Sequence, residues 1–485
     1  MRQDRLNRRF RCRPDWLLVA GLALVSTPGA GDDTTLPNML RFPNPTGYAA
    51  TFSTTGSVDL TGPFFQSLGS NGRNCGSCHQ PSDGWTITPE HVQQRFDDTD
   101  GTDPIFRPVD GANAPELDVS TVEARRDAYS MLLTKGLIRV GIAMPTGPAV
   151  EFELIAVDDP YGHASAQDLS LFRRPLPATN LKFLSTVMWD GRETFKDATS
   201  TDCLFGTTTC FATLHFNLAD QANGATLGHA QGATPLSDEQ SQAIVDFETA
   251  LFTAQVYDSR TGPLRARGAL GGPDYLSAQN FYFGINDPIS GDYQTHGPFD
   301  PVAFRTYDAW SHLHDGGGGS GQHHRRMAAR EQIANGQVLF NTRPIRITGV
   351  KGLNDDLGMP EIAGTCTTCH DTPNAGNHSI PAPLDIGLAD ASRRTPDLPL
   401  YTLRNLQTGE TIQTTDPGRA LITGKWSDIG RFKGPVLRGL AARAPYFHNG
   451  FAVDLAAVID FYNTRFNLNL ADQEKADLIA FLQSL

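Results

Sequence analysis

The sequence predicts a mainly α-helical protein of two tandem domains, with long loops and one small β-hairpin insertion. Three observations lead there. The pentapeptide Cys-x-x-Cys-His occurs twice, as Cys75-Gly76-Ser77-Cys78-His79 and as Cys366-Thr367-Thr368-Cys369-His370, once in each half. A helical pattern also recurs: Leu236-Ser237-Asp238 leads into Ile244, Phe247 and Leu251, and Leu470-Ala471-Asp472 leads into Leu478, Phe481 and Leu485. Two β-rich runs, Gly136 to Met144 and Glu151 to Val157, flank Pro145-Thr146-Gly147-Pro148, the pattern of a hairpin.

The chain has 485 residues, 39% hydrophobic and 19% charged, which suits two or three globular units rather than disorder. Its N-terminus orders Arg2, Arg5, Arg8, Arg9, Arg11 and Arg13, then the apolar run Trp16 to Val25, then small residues to Ala30. That order reads as a secretory signal over 1–30, too short for a stable membrane span. Without it the charge is 34 minus 51, or −17, from the 40 basic and 53 acidic residues less six and two. Such acidity excludes nucleic acid and anionic membranes as partners and suits a basic redox partner.

The cysteines divide cleanly. Cys12 lies in the signal segment and four belong to the pentapeptides, leaving Cys203 and Cys210, which an oxidising compartment would join as a disulfide. Two thiols that add across vinyl groups, with a His on the same turn to ligate iron, are what covalent haem c requires. A redox Cys pair or half of a zinc site would not explain the adjacent His in both copies. Two haem c groups follow, with His79 and His370 as proximal ligands. Each half then reads as a cytochrome c-like haem domain, 31–260 and 300–485, joined by a 261–299 linker. Haem c is attached outside the cytoplasm, in agreement with the signal segment.

Other features fill in the halves. Trp189-Asp190-Gly191 echoes His448-Asn449-Gly450, and Ala328 to Phe340 reads as the helix leading into the second motif. The Gly-rich stretch Asp315 to Gly321 is flanked by His312, His314, His323 and His324, a solvated loop that metal could otherwise visit. No Met follows His370, so a second axial ligand there must come from His378, His448 or a tyrosine. Tyr462 continues the helical face Leu455, Val458, Ile459.

The two pentapeptides, Val187-Met188-Trp189-Asp190-Gly191-Arg192 and Ala444-Pro445-Tyr446-Phe447-His448-Asn449-Gly450 together resemble the bacterial dihaem cytochrome c peroxidase family, including its MauG-like branch. The resemblance implies a periplasmic enzyme that reduces hydrogen peroxide or uses it to oxidise a partner. His79 would hold the peroxidatic iron and His370 the electron-transfer iron, with Trp189 between them. It places Tyr462 where peroxidases carry Met and MauG-type enzymes carry Tyr. A hard phenolate favours ferric and higher states, so the second haem would share oxidising equivalents rather than store a reducing electron. The family's distal Gln and Glu map onto Gln221 and His229, and His91 is the His nearest the family's distal capping position. The donor would be a small redox protein or an oxidisable substrate. The family's calcium-binding Asn maps onto Arg174, a cation that repels calcium, so no calcium site is carried over. The alternatives are a non-catalytic dihaem electron carrier and a dihaem oxygenase acting on dioxygen.

Overall fold

Strands need partners, and here some pair with a neighbour a few residues away while others pair across distances that no local pattern reveals. The computed structural model describes residues 34–194, 207–311, 313 and 321–485, with the backbone alone over 207–213. The signal segment, Cys203, the Cys210 side chain, His312 and His314 lie outside the described residues. Helices make up 32% and strands 18%. The strands form five small sheets among the described residues. The expectation of a mainly α-helical chain is therefore corrected.

The hairpin is corrected with it. Ile138–Ile142 pairs antiparallel with the fully buried Leu169–Arg173, from Ile138 opposite Arg173 to Ile142 opposite Leu169. Phe152–Asp158 pairs instead with Leu400–Asn405, which also pairs with Thr411–Thr414. Leu169–Arg173 is buried along its whole length, with Arg173 held by Asp190 and Asp416, whereas Phe152–Asp158 is half exposed, and the buried strand takes Ile138–Ile142 as its partner. The largest sheet has four strands, Arg41–Asn44, Gly47–Ser53, Leu251–Asp258 and Gly262–Pro263, in that order.

Both repeated helices form where the sequence places them. Asp238–Ala250 starts on a Ser237–Gln240 capping box and runs straight into the strand Leu251–Asp258. Asp472–Gln483 ends the chain and packs across Gly321–Thr342, the helix expected over Ala328 to Phe340. Gly336 permits that crossing, because a Cβ there would stand 2.0 Å from the Asp477 carbonyl oxygen. Phe304 meets both Phe340 and Phe481 edge to face beside it, and Phe340 and Phe481 meet at a tilt, with ring centroids 5.3–5.6 Å apart. The last residues are tied down. Leu485 O accepts from Gln255 N at 3.1 Å and Gly439 N at 2.9 Å, and the Tyr307 hydroxyl donates to Ser484 O at 2.6 Å.

Candidate functional site

Each Cys-x-x-Cys-His segment folds as a single 3₁₀ turn followed by its His. Cys78 N–H and His79 N–H both donate to Cys75 O, at 3.1 and 3.0 Å, which gathers the two thiols and the imidazole. The turn is braced by Asn74, whose backbone N–H donates to Ser77 Oγ at 3.1 Å. Thr365 and Thr368 brace Cys366–Thr368 in the same way. His79 Nδ1 donates to Trp85 O at 3.0 Å and His370 Nδ1 donates to Gly376 O at 2.6 Å. A carbonyl can only accept, so both rings keep Nε2 bare. Burial holds both imidazoles below their ordinary pKa and therefore neutral.

Each turn opens on its own cavity. The first, of about 390 Å³, is lined by Cys75, Cys78 and His79, and the second, of about 230 Å³, by Cys366, Cys369 and His370. Between them stands a shared wall: Arg174 to Pro177, Trp189, Lys433, Pro435 and Arg443 face both cavities. Burial, and then the charge of Arg443, pulls Lys433 down to about 7 and Arg174 down to about 10. Burial likewise pulls Arg443 to about 10. None of the three forms an ion pair among the described residues. Buried cations without counter-charges are costly. A porphyrin brings two propionates, so paired thiols, a bare imidazole nitrogen and an unbalanced cationic wall all fit covalent haem c.

Trp189 is fixed within that wall. Its indole N–H donates to Arg174 O at 2.8 Å, and its own carbonyl accepts from Lys433 N at 2.9 Å. The following residue, Asp190, is fully buried and receives Arg173 at 2.5 Å and Arg192 at 3.2 Å. Arg173 also grips Asp416 with two nitrogens, at 2.7 and 2.9 Å. Burial would raise Asp190, but Arg173 and Arg192 outweigh it and hold the carboxyl below its usual range.

Gln221 and His229 both line the first cavity, from the helix Thr207–Gly228 and the residue after it. The His229 ring bonds Asp110 through Nδ1, and Asp110 also pairs with Arg73. Asp110 is 4% exposed and lines the same cavity. Burial would raise its pKa, but His229 and Arg73 bring it below the usual value. Asp110 was not legible in the sequence, since it lies in no motif and meets His229 only through the fold. His91 does not line the cavity and pairs with Asp83 instead.

Of the residues proposed to reach the second cavity, Tyr462 and His378 line it, and His448 does not. Tyr462 shares its face with Leu455, Val458 and Ile459 on the helix Leu455–Arg465, and its hydroxyl has no hydrogen-bond partner among the described residues. Burial, and then Cys369 and Cys366, pushes its phenol upward. His378 Nδ1 lies 3.3 Å from Asp371. His448 is 1% exposed, stacks on Phe432 at 4.1 Å, and has no hydrogen-bond partner for either ring nitrogen among the described residues. His323 and His324 sit on the helix Gly321–Thr342, and no cluster of metal-binding side chains occurs among the described residues.

The residues do not fit calcium at the Arg174 position. Its guanidinium donates to Lys135 O at 2.8 Å, Ile87 O at 2.7 Å and Arg443 O at 3.3 Å, so an organic cation fills the carbonyl nest. No helix among the described residues is long and apolar enough to cross a membrane.

No family profile matches the chain. Among curated proteins it is 34% identical over 140 residues to cytochrome-c peroxidase IdrP1 of a Pseudomonas species, covering 25% of this chain and 36% of that one. It is 31% identical over 132 residues to cytochrome-c peroxidase IdrP2 of Denitromonas iodatirespirans, with the same coverage. Cytochrome c551 peroxidase of Pseudomonas aeruginosa matches at 31% over 121 residues, covering 25% and 30%. The chain thus spans about a third of the length of these relatives. A solved MauG-like protein associated with microbial copper homeostasis aligns over 94% of this chain and 95% of its own, at 14% identity and a TM-score of 0.34. The matched stretch relates this chain to the bacterial cytochrome c peroxidases, and haem c is the cofactor implied by that kinship and by the cysteine–histidine turns.

Proposed function

We propose that the protein is an exported, periplasmic dihaem c-type enzyme that reduces hydrogen peroxide or uses it to oxidise a partner. One observation carries the proposal: Trp189 and its cationic neighbours face both Cys-x-x-Cys-His cavities at once. Two isolated electron-carrying sites would need no common wall. When bound, haem c supplies the redox iron at which peroxide is reduced. Cys75, Cys78 and His79 would hold one group on the peroxidatic side, and Cys366, Cys369 and His370 the other.

The remaining roles belong to the chain. Asp110 holds His229 through Nδ1, which aims Nε2 away from the bond and leaves it free to take a proton from one peroxide oxygen and return it to the other. Gln221 supplies a neutral amide beside it for orienting peroxide. Trp189 offers the π-system that joins the two sites. Tyr462 would be a further ligand to the iron of the second site, since it lines that cavity and its hydroxyl has no hydrogen-bond partner among the described residues. That hard ligand favours the partner-oxidising outcome, as in the MauG-like branch. Export is supported by the basic, apolar and small order of residues 1–30 and by the two Cys-x-x-Cys-His motifs, whose haem would be attached outside the cytoplasm. Electrons would come from a small redox protein or an oxidisable substrate.

The test is an optical titration of the haem-loaded protein with hydrogen peroxide. A high-spin ferric band that shifts on peroxide addition is the expected result. Purely low-spin haem, unmoved by peroxide, would leave only an electron carrier. A stable ferrous–dioxygen complex with no response to peroxide would favour an oxygenase.

A further inference from the structure

The repeated helices differ at one telling position. With Ile244 matched to Leu478 and Phe247 to Phe481, Glu248 falls opposite Leu482. Leu482 lines the second cavity and Glu248 lines the first. One half thus presents a carboxyl where the other presents an apolar side chain to its haem. Glu248 is 6% exposed, and its Oε2 has no hydrogen-bond partner among the described residues. A charged carboxylate so placed would be strongly disfavoured, and Leu would be the more stable choice.

Among the described residues no cation holds it ionised. Pro63–Phe65, packed against this helix, carries no ionisable group. From Leu181–Phe183, Lys182 turns its ammonium to the carbonyls of Ser277 and Gln279. Thr207–Gly228 contributes His215, bonded to Gln242, and Asp220. The helix itself adds Asp238, Glu239 and Asp246. Cys75, from the haem-attachment turn, is the group that feels Glu248 electrostatically, and a thioether there carries no charge. Burial alone pushes Glu248 up to about 8, and the cavity's charged walls around Asp110 and Lys433 do not offset it.

We propose that Glu248 is a proton-exchange site for the first haem, holding its proton when that site is reduced and giving it up when the site is oxidised. Reduction of one hydrogen peroxide to two waters takes two electrons and two protons: one electron would come from the first haem together with the Glu248 proton, and the other from the redox donor through the second haem, with its proton taken from solvent. This rests on the reading of Cys75–His79 as a haem site. The gain in positive charge at the iron lowers the carboxyl's proton affinity, which couples the two events.

The experiment is a spectroelectrochemical titration of the dihaem holoprotein across pH, with Glu248→Gln and Glu248→Leu alongside. Intact mass first establishes haem on the Cys75 peptide; its absence would overturn the haem reading and this proposal together. In the wild type the first-haem potential should fall with rising pH, approaching one proton per electron in the window where the carboxyl titrates. The second haem, facing Leu482, should lack that segment. Both variants should abolish it, and Glu248→Leu should also raise the melting temperature. Should Glu248→Leu fail to load haem, Glu248→Gln keeps the shape of the site and decides alone. The same pH slope in the wild type and Glu248→Gln, or no slope in the loaded wild type, would overturn the proposal.

Discussion

Trp189 and Arg174 are joined by one hydrogen bond, from the indole N–H to the Arg174 carbonyl oxygen at 2.8 Å, and both residues face both cavities. The guanidinium of Arg174 reaches back to carbonyls of Lys135, Ile87 and Arg443, three separate segments. The wall between the sites is therefore built from one aromatic ring held by the Arg174 backbone and one cation caged by the backbone of three other segments.

Replacing Trp189 separates its two duties. Trp189→Phe keeps a π-system but leaves the Arg174 carbonyl short of a donor, and should cost about 1–3 kcal/mol of stability in urea denaturation. Trp189→Leu should add a loss of electron exchange between the sites. Stopped-flow reduction of the second haem should proceed normally while electron arrival at the first slows at least about tenfold, equivalent to about 1.4 kcal/mol of barrier. Equal rates in wild type and Trp189→Leu would remove Trp189 from the path.

Arg174 should make the protein indifferent to calcium. Chelator and added calcium are expected to leave the melting temperature unchanged, because the carbonyl nest already holds a guanidinium. Arg174→Ala should lower stability by about 3–5 kcal/mol, as carbonyls from three segments lose their donor. Arg174→Lys should not restore it fully, since an ammonium lacks the planar fork. A melting temperature that falls with chelator in the wild type would contradict this.

Acid should unfold the protein through its buried aspartates. Asp110 and Asp190 both lie below the ordinary value because cations outweigh burial. A depressed carboxyl contributes stability that is complete above its unfolded pKa, about 3.9, and is lost as pH falls toward the folded value. Denaturation midpoints should thus be level near neutrality and drop steeply below about pH 4. Asp190→Asn should flatten that drop, at the expense of stability at pH 7, where Arg173 would keep Asp416 alone.

Tyr462→Phe isolates one hydroxyl. It has no partner among the described residues, so its removal should change apoprotein stability by less than about 1 kcal/mol. In the holoprotein the second haem's spectrum should change if Tyr462 is the ligand proposed for its iron. An unaltered spectrum would transfer that role to His378, which lines the same cavity.

What the sequence revealed was what lies close together along the chain. The two cysteine–histidine turns, both closing helices and the Tyr462 face each depend on spacings within a few residues, and each was readable. The pairings between remote strands were not. Phe152–Asp158 pairs with Leu400–Asn405, and no local pattern encodes a partner so remote. The site divides likewise: His229 was legible as a candidate, but Asp110, which orients it across the fold, carries no neighbouring signal. Nor could spacing alone show that Asp190, Arg173 and Asp416 form one buried cluster behind Trp189.

The most direct test of the account is the intact mass of the mature protein, with peptide mapping, from a host competent in cytochrome c maturation. Two porphyrins are expected, one on the peptide bearing Cys75 and Cys78 and one on that bearing Cys366 and Cys369. Bare polypeptide, or a single porphyrin, would contradict a two-haem enzyme.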